Sequence, residues 1–297
     1  MKGEATNPRK QRPLMKLWVG TSGYSYGDWV GPFYPPGTKP NRMLPYYCSQ
    51  FPLVELNFTF YRPPTPDMLA RMAEQTPEGF QFIVKMPRTL SHEKRPDDLP
   101  GFRLAVDQLR SRGRLSGVLC QLPQSVHHNR TQQEWIDRLA REMIGYRMAV
   151  EFRHRSWYHP EVAPWLRERD LDLVSVDVPE LPGLYPSGLV QSGSRLYVRL
   201  HSRNAANWYA SDKERYDYDY DDAALTQWIG ALAGAADQAS EAMVLFNNCQ
   251  RSQAADNARR MYQLLERFAD RFTVVSPFAA AEEPAPRQQS LFGEGAI

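Results

Sequence analysis

Two spacings of apolar residues alternate along most of this chain. Short runs repeat every second residue, and longer ones repeat with the 3.6-residue period of a helix. The period-two runs predict eight strands, at 17–23, 53–61, 80–87, 115–123, 148–157, 171–179, 195–202 and 241–248. Helices are expected between them at 43–50, 66–74, 99–111, 131–144, 161–169, 222–239 and 254–269. Thr65 before Pro66 marks a helix start, because the hydroxyl satisfies an orphan N–H and proline has none to satisfy. Thr131 with Glu134 reads as a capping box. The 180–194 crossover carries no helical period and is expected to be irregular.

Strands alternating with helices in this way predict an α/β protein, a single (β/α)8 TIM-type barrel. A doubly wound open sheet is the alternative. It would carry a glycine-rich phosphate turn after its first strand, and Gly20-Thr21-Ser22-Gly23 lacks that fingerprint. The barrel is expected to span 17–276, between a disordered basic arm at 1–16 and a disordered tail at 277–297. Met15 is a candidate natural start, as Met1 is.

Composition narrows the function. The chain has 297 residues with 36 Lys+Arg against 34 Asp+Glu, a net charge of +2. That balance argues against a general electrostatic nucleic-acid binder and leaves room for a local basic patch. Three widely spaced cysteines form neither a disulfide framework nor a zinc motif, so a reducing cytoplasm is expected. No apolar run is long enough to span a membrane, and none is expected to.

The stretch from Ala149 to Trp157 draws attention to chemistry. It begins apolar and then places Glu151 and Arg153 on one face, and such charges are costly to bury unless paired or facing a polar cavity. Sites in this fold form at the carboxyl ends of the strands. Those ends carry Ser22, Glu55, Asn57, Lys85, Gln121, Glu151, Arg153, Asp177, Arg199, His201, Asn247 and Asn248. Tyr24 and Trp157 follow strand ends, as do Tyr26, Trp29, Tyr61, Trp208 and Tyr209, and can stack on a sugar or base.

Several stretches together resemble one family. They are Gly20-Thr21-Ser22-Gly23-Tyr24 with Trp29 and Phe33-Tyr34-Pro35, Val54-Glu55-Leu56-Asn57 with Thr59-Phe60-Tyr61, and Phe82 with Lys85 and His92. Gln121-Leu122-Pro123, Glu151-Phe152-Arg153 with Ser156-Trp157, Arg199-Leu200-His201, and Phe246-Asn247-Asn248 with Asn257-Ala258 complete the set. This pattern resembles the YecE-like family, catalogued as domain of unknown function 72, from about Leu17 to Ala269. The resemblance implies a TIM-type barrel and supplies no reaction. Two departures stand out: Ser202 where glycine is expected, and a Cys249–Gln253 turn without the usual glycine.

Glu55, Glu151 and His201 are the candidate catalytic acids and bases. Ser22, Tyr24, Asn57, Lys85, Gln121, Arg153, Trp157, Asp177, Arg199, Asn247 and Asn248 are candidate substrate contacts, with Lys85, Arg153 and Arg199 suited to a phosphate or carboxylate. Glu151, Asp177 and His201 could hold a divalent metal. The metal-free site is favoured, because Asn247 and Asn248 are weak ligands and the nearby cations compete. The long loop between Arg203 and Asp222 is expected to be a lid. In the tail, Gln288, Leu291 and Phe292 belong to a peptide similar to those that bind the bacterial replication sliding clamp. The expected function is an enzyme acting on a sugar-phosphate or nucleic-acid-type ligand by carboxylate acid/base chemistry. The alternative is a non-catalytic module that binds a small anion and is recruited to a sliding clamp.

Overall fold

The computed structural model describes residues 13–278. Its strands are β1 (Met15–Ser22), β2 (Leu53–Leu56), β3 (Gln81–Lys85), β4 (Leu115–Gln121), β5 (Met148–Glu151), β6 (Leu171–Asp177), β7 (Arg195–Leu200), β8 (Glu241–Phe246) and β9 (Phe272–Val274). The helices are α1 (Pro40–Cys48), α2 (Pro66–Glu74), α3 (Arg88–Ser91), α4 (Leu99–Arg110), α5 (Arg130–Glu142), α6 (Val162–Arg167), α7 (Asp212–Arg215), α8 (Asp222–Ala235) and α9 (Gln253–Leu265). Strands β1 to β8 pair in parallel in sequence order, and β1 pairs with both β2 and β8, which closes the barrel. The strands are buried on both faces and so read as nearly continuous apolar runs.

The ninth strand answers a geometric problem. Short β2 meets only the upper half of β1, at Gly20–Ser22. Strand β9 fills the lower half, pairing Met15 with Phe272 and Leu17 with Val274. Met15 is therefore the buried first residue of β1, not part of a disordered arm. The tail boundary also moves: Phe278 donates its N–H to Cys48 O at 3.3 Å and its ring packs on Phe80. The expected disorder of residues 1–12 and 279–297 lies outside the described residues, as do Gln288, Leu291 and Phe292. Among the described residues no helix is long and apolar enough to cross a membrane.

Two strands end earlier than their alternation suggests. After Leu56, Asn57 adopts helical backbone angles and Phe58–Phe60 forms a 3-10 turn. Thr59 Oγ1 holds that turn, 2.7 Å from Leu56 O and 2.6 Å from Lys85 O. Strand β5 stops at Glu151, and the following loop pairs with the next crossover through Tyr185 N–H to Arg153 O and Arg155 N–H to Gly183 O. The 178–194 crossover is irregular, as expected. Thr65 caps α2 through Met68 N–H. The cap of α5 is Asn129 and not Thr131: its side chain accepts from Gln132 N–H at 3.0 Å, while Glu134 pairs with exposed Arg130.

At Gly20 on β1 no side chain fits. A Cβ there would stand 2.1 Å from Leu53 O, so β1 and β2 can approach only over glycine.

Candidate functional site

Strand β7 builds the axis of the site. Its period-two inner face carries Arg195, Tyr197 and Arg199, with His201 next in line. Arg195 crosses the lower barrel to Asp172 Oδ2 at 2.5 Å and to Ser116 O at 2.6 Å. Arg199, four residues on, lies under the carboxyl-end mouth and is 1% exposed.

Arg199 ties three strands together. Its Nη2 donates to Glu55 Oε1 at 2.6 Å and its Nε to Glu55 Oε2 at 2.9 Å, a bidentate clamp. Its Nη1 donates to Glu151 Oε2 at 2.5 Å, and its Nη2 lies 3.4 Å from Ser22 Oγ. Tyr197 donates its hydroxyl to Glu55 Oε2, and Arg153 Nε donates to Glu151 Oε1. His201 Nε2 stands 3.3 Å from Glu151 Oε1 without the alignment of a hydrogen bond, while its Nδ1 meets Asn247 Nδ2 at 2.9 Å. Asn247 Oδ1 accepts from Asn57 Nδ2 at 3.2 Å. Side chains from the ends of β1, β2, β5, β7 and β8 thus form one buried network, as expected of a strand-end site.

Its electrostatics follow from these pairs. Burial would raise the Glu151 carboxyl, but Arg153, Arg199 and His201 outweigh it and hold the group well below the carboxylate range. Burial foremost, then the charge of Arg153, lowers His201 to about 3, so its imidazole is neutral. Burial would lower Arg199, and Glu151 and Glu55 reverse the sign. Tyr197 is pushed well above its usual value by burial and then by Glu55. Glu151 and His201, expected as acid and base, are held in one protonation state each near neutral pH. Glu151 is a charge anchor for Arg199 and Arg153, and neutral His201 packs beside it.

Above this floor opens a cavity of about 520 Å³, a size that suits small ligands. Of the expected contacts, Asn57, Lys85, Gln121, Arg153 and Asn247 line it. The long loop folds over the mouth, bringing Trp208, Tyr209, Lys213, Arg215 and Tyr216 to the lining. Gln124 Nε2 donates to Tyr209 Oη at 3.1 Å across the rim. Among the described lining residues Lys85, Arg153, Lys213 and Arg215 are basic and none is acidic.

Other expected site residues stand elsewhere, mostly because of side-chain parity. On β6, Asp172 points inward to Arg195, so odd-numbered Asp177 points out toward the helices. There it accepts from Arg203 Nε at 2.9 Å, Arg203 Nη2 at 2.8 Å and Trp228 Nε1 of α8. The metal trio Glu151, Asp177 and His201 therefore does not assemble, and no other such cluster forms among the described residues. Asn248 likewise faces α9, donating to Asn257 Oδ1 and Tyr218 O at 2.7 Å each. Trp157 is a buried brace: it stacks on Phe152 at 4.1 Å and donates to Val126 O. Tyr24 packs near Tyr47, and Tyr26 takes the lining position instead, with its hydroxyl donating to Ser22 O. Ser22 lies in the buried floor.

The lining and floor also hold residues absent from the sequence-based candidates: Tyr197, Phe60, His92, Lys213 and Arg215. Tyr197 had a signal, since it lies two residues before Arg199 on the same strand face. His92 accompanies Phe60 at 4.8 Å and lines the cavity. Burial, then the charge of Lys85, lowers its imidazole to about 4. The two departures from the family pattern bracket this rim. Ser202 Oγ accepts from Asn204 N–H, and in the Cys249–Gln253 turn Arg251 and Ser252 adopt left-handed φ of 49° and 66°.

Comparison with known proteins places this architecture. The model of the family described as Protein of unknown function DUF72 matches residues 18–284. UPF0759 protein YunF of Bacillus subtilis is 28% identical over 270 residues, covering 84% of this chain and 95% of YunF. UPF0759 protein YecE of Escherichia coli K12 is 28% identical over 148 residues, 48% of this chain and 50% of YecE. A crystal structure of a DUF72 family protein from Thermotoga maritima matches with a TM-score of 0.78 at 36% identity, covering 84% of this chain and 99% of that one. Another, from Enterococcus faecalis, matches with a TM-score of 0.76 at 25% identity, covering 84% and 95%. With the family model running through every strand of the barrel, this chain belongs to the YecE-like DUF72 family.

Proposed function

We propose that the barrel mouth is an enzyme active site for a small organic anion, a phosphorylated or carboxylated sugar-type or nucleotide-type ligand. The observation that carries this reading is the lining: four basic side chains and no acidic one among the described residues. The carboxylates below are already committed to Arg199 and Arg153, so they do not offset Lys85 or Lys213 at the mouth. Lys213 is exposed at the rim and suits attraction and capture of a phosphate. Exposed Tyr61 and Tyr209 offer flat faces to a sugar or base. Glu55 and Glu151 serve as fixed counter-charges that orient Arg199 and Arg153.

A thermal-shift screen tests the reading. Glycerol 3-phosphate, ribose 5-phosphate and lactate are compared with glycerol and ribose. Stabilisation by the anions only, diminished in Lys213→Glu, is expected, since a ligand that binds only the folded chain raises its apparent stability. Equal response to neutral and charged compounds would remove the reading. The alternative, a non-catalytic anion-binding module, predicts the same stabilisation with no turnover of any stabilising compound.

A further inference from the structure

Lys85 is the cation that the network leaves over. Each oxygen of Glu55 and Glu151 already holds an arginine donor, and Glu55 Oε2 holds Tyr197 as well. Among the described residues Lys85 Nζ makes no hydrogen bond and no ion pair. It lies over the face of Phe60, 4.6 Å from the ring centre. Yet the side chain is partly exposed and opens into the cavity. Strand β3 fixes its position, because Thr59 holds the Lys85 carbonyl.

The surroundings disfavour an ammonium there. Arg199 faces it from β7 and Arg153 from the loop after β5, with His92 beyond α3; Glu55 on β2 and Glu151 on β5 oppose them. Burial first, then Arg199, brings Lys85 down to about 7. A lysine desolvated beside other cations is a recognised form of activated amine.

We propose that Lys85 Nζ is a nucleophile that forms an imine with the carbonyl carbon of an oxo acid or oxo phosphate bound in the mouth. The inference rests on the anion-site reading above and adds the reacting atom. The Nζ lone pair makes the new C–N bond while the carbonyl π electrons move to oxygen, which takes up a proton. The resulting carbinolamine loses its hydroxyl with a proton as water, and the nitrogen, having given up both amine protons, closes the C=N bond. No oxidant or reductant enters. Lys213, exposed at the rim, holds the anionic group.

The full-length chain is incubated with pyruvate or with dihydroxyacetone phosphate and treated with sodium borohydride, then mapped by peptide mass spectrometry. Thermal shifts with lactate and glycerol 3-phosphate, which have no carbonyl, report the anion site separately. The expected result is one reduced adduct, on Lys85, absent in both Lys85→Met and Lys85→Arg. Labelling spread evenly over exposed lysines such as Lys39 overturns the proposal. So does the absence of any adduct while the carbonyl-free anions still stabilise the chain, and the anion site then stands without the imine. Absence of both adduct and stabilisation removes the two readings together.

Discussion

Arg199 holds Glu55 by two nitrogens at once, Nη2 to Oε1 at 2.6 Å and Nε to Oε2 at 2.9 Å, with both side chains almost fully buried. This clamp decides the character of the site. Because the guanidinium also reaches Glu151, which Arg153 shares, two arginines balance the two carboxylates that an acid/base mechanism would have needed. The mouth above is left cationic.

Removing Arg199 should be among the most damaging single changes in the barrel. Arg199→Met leaves Glu55 and half of Glu151 uncompensated in a buried site, at an expected cost of about 3–5 kcal/mol. Urea unfolding measures it. The triple change Arg199→Met, Glu55→Gln, Glu151→Gln should recover much of the loss, and no recovery would contradict the pairing described.

Stability should climb with pH across two windows. His201 is lowered to about 3 from 6.5, so the unfolded chain takes up a proton that the fold refuses, and stability falls as pH drops from 6.5 toward 3. Glu151 adds to this loss below its ordinary value of 4.5. Lys85 is lowered from 10.5 to about 7, so its contribution to stability rises above pH 7, until the buried Cys48, Cys120 and Cys249 thiols, pushed up from 9, begin to oppose it. Unfolding free energies at intervals from pH 4 to pH 10 would test this. His201→Gln should flatten the acid side only, and Lys85→Met the alkaline side only.

Asp177→Asn should behave as a structural lesion. Asp177 is buried with Arg203 and Trp228 as donors, so the change weakens a charge-assisted network by about 1–3 kcal/mol. Anion-dependent stabilisation should persist in the variant. Loss of ligand response with unchanged melting temperature would return Asp177 to the site.

The Cys249–Gln253 turn should accept the glycine it lacks. Arg251 sits at φ 49°, a region that disfavours side chains by roughly 1–2 kcal/mol. Its ion pair with Asp217 is largely exposed and contributes little. Arg251→Gly is expected to leave thermal stability unchanged or raise it by up to about 1 kcal/mol. A clear loss would show that the exposed pair matters more than the backbone.

The barrel and its charged floor were legible in the sequence because both follow from strand ends. Glu55, Lys85, Glu151, Arg199 and His201 come from separate segments and meet as strand-end residues should. What position alone could not give was parity. Asp177 and Asn248 stand at strand ends but point toward helices, while mid-strand Tyr197 points into the floor. Nor does local alternation register a distant hydroxyl, so the period-two run continues to Tyr61 although β2 ends at Leu56. Lys213 and Arg215 belong to the long loop, and only its fold over the mouth makes them part of the lining.

The central claim is that Arg199 and Arg153 occupy the carboxylates and leave Lys85 an unpaired amine in a cationic mouth. NMR titration of the chain with ¹³C-labelled lysine side chains tests it directly. One resonance titrating near pH 7, absent from Lys85→Met, is the predicted result. A Lys85 resonance titrating near 10.5 with the other lysines would mean that a carboxylate holds its charge, and would contradict the account.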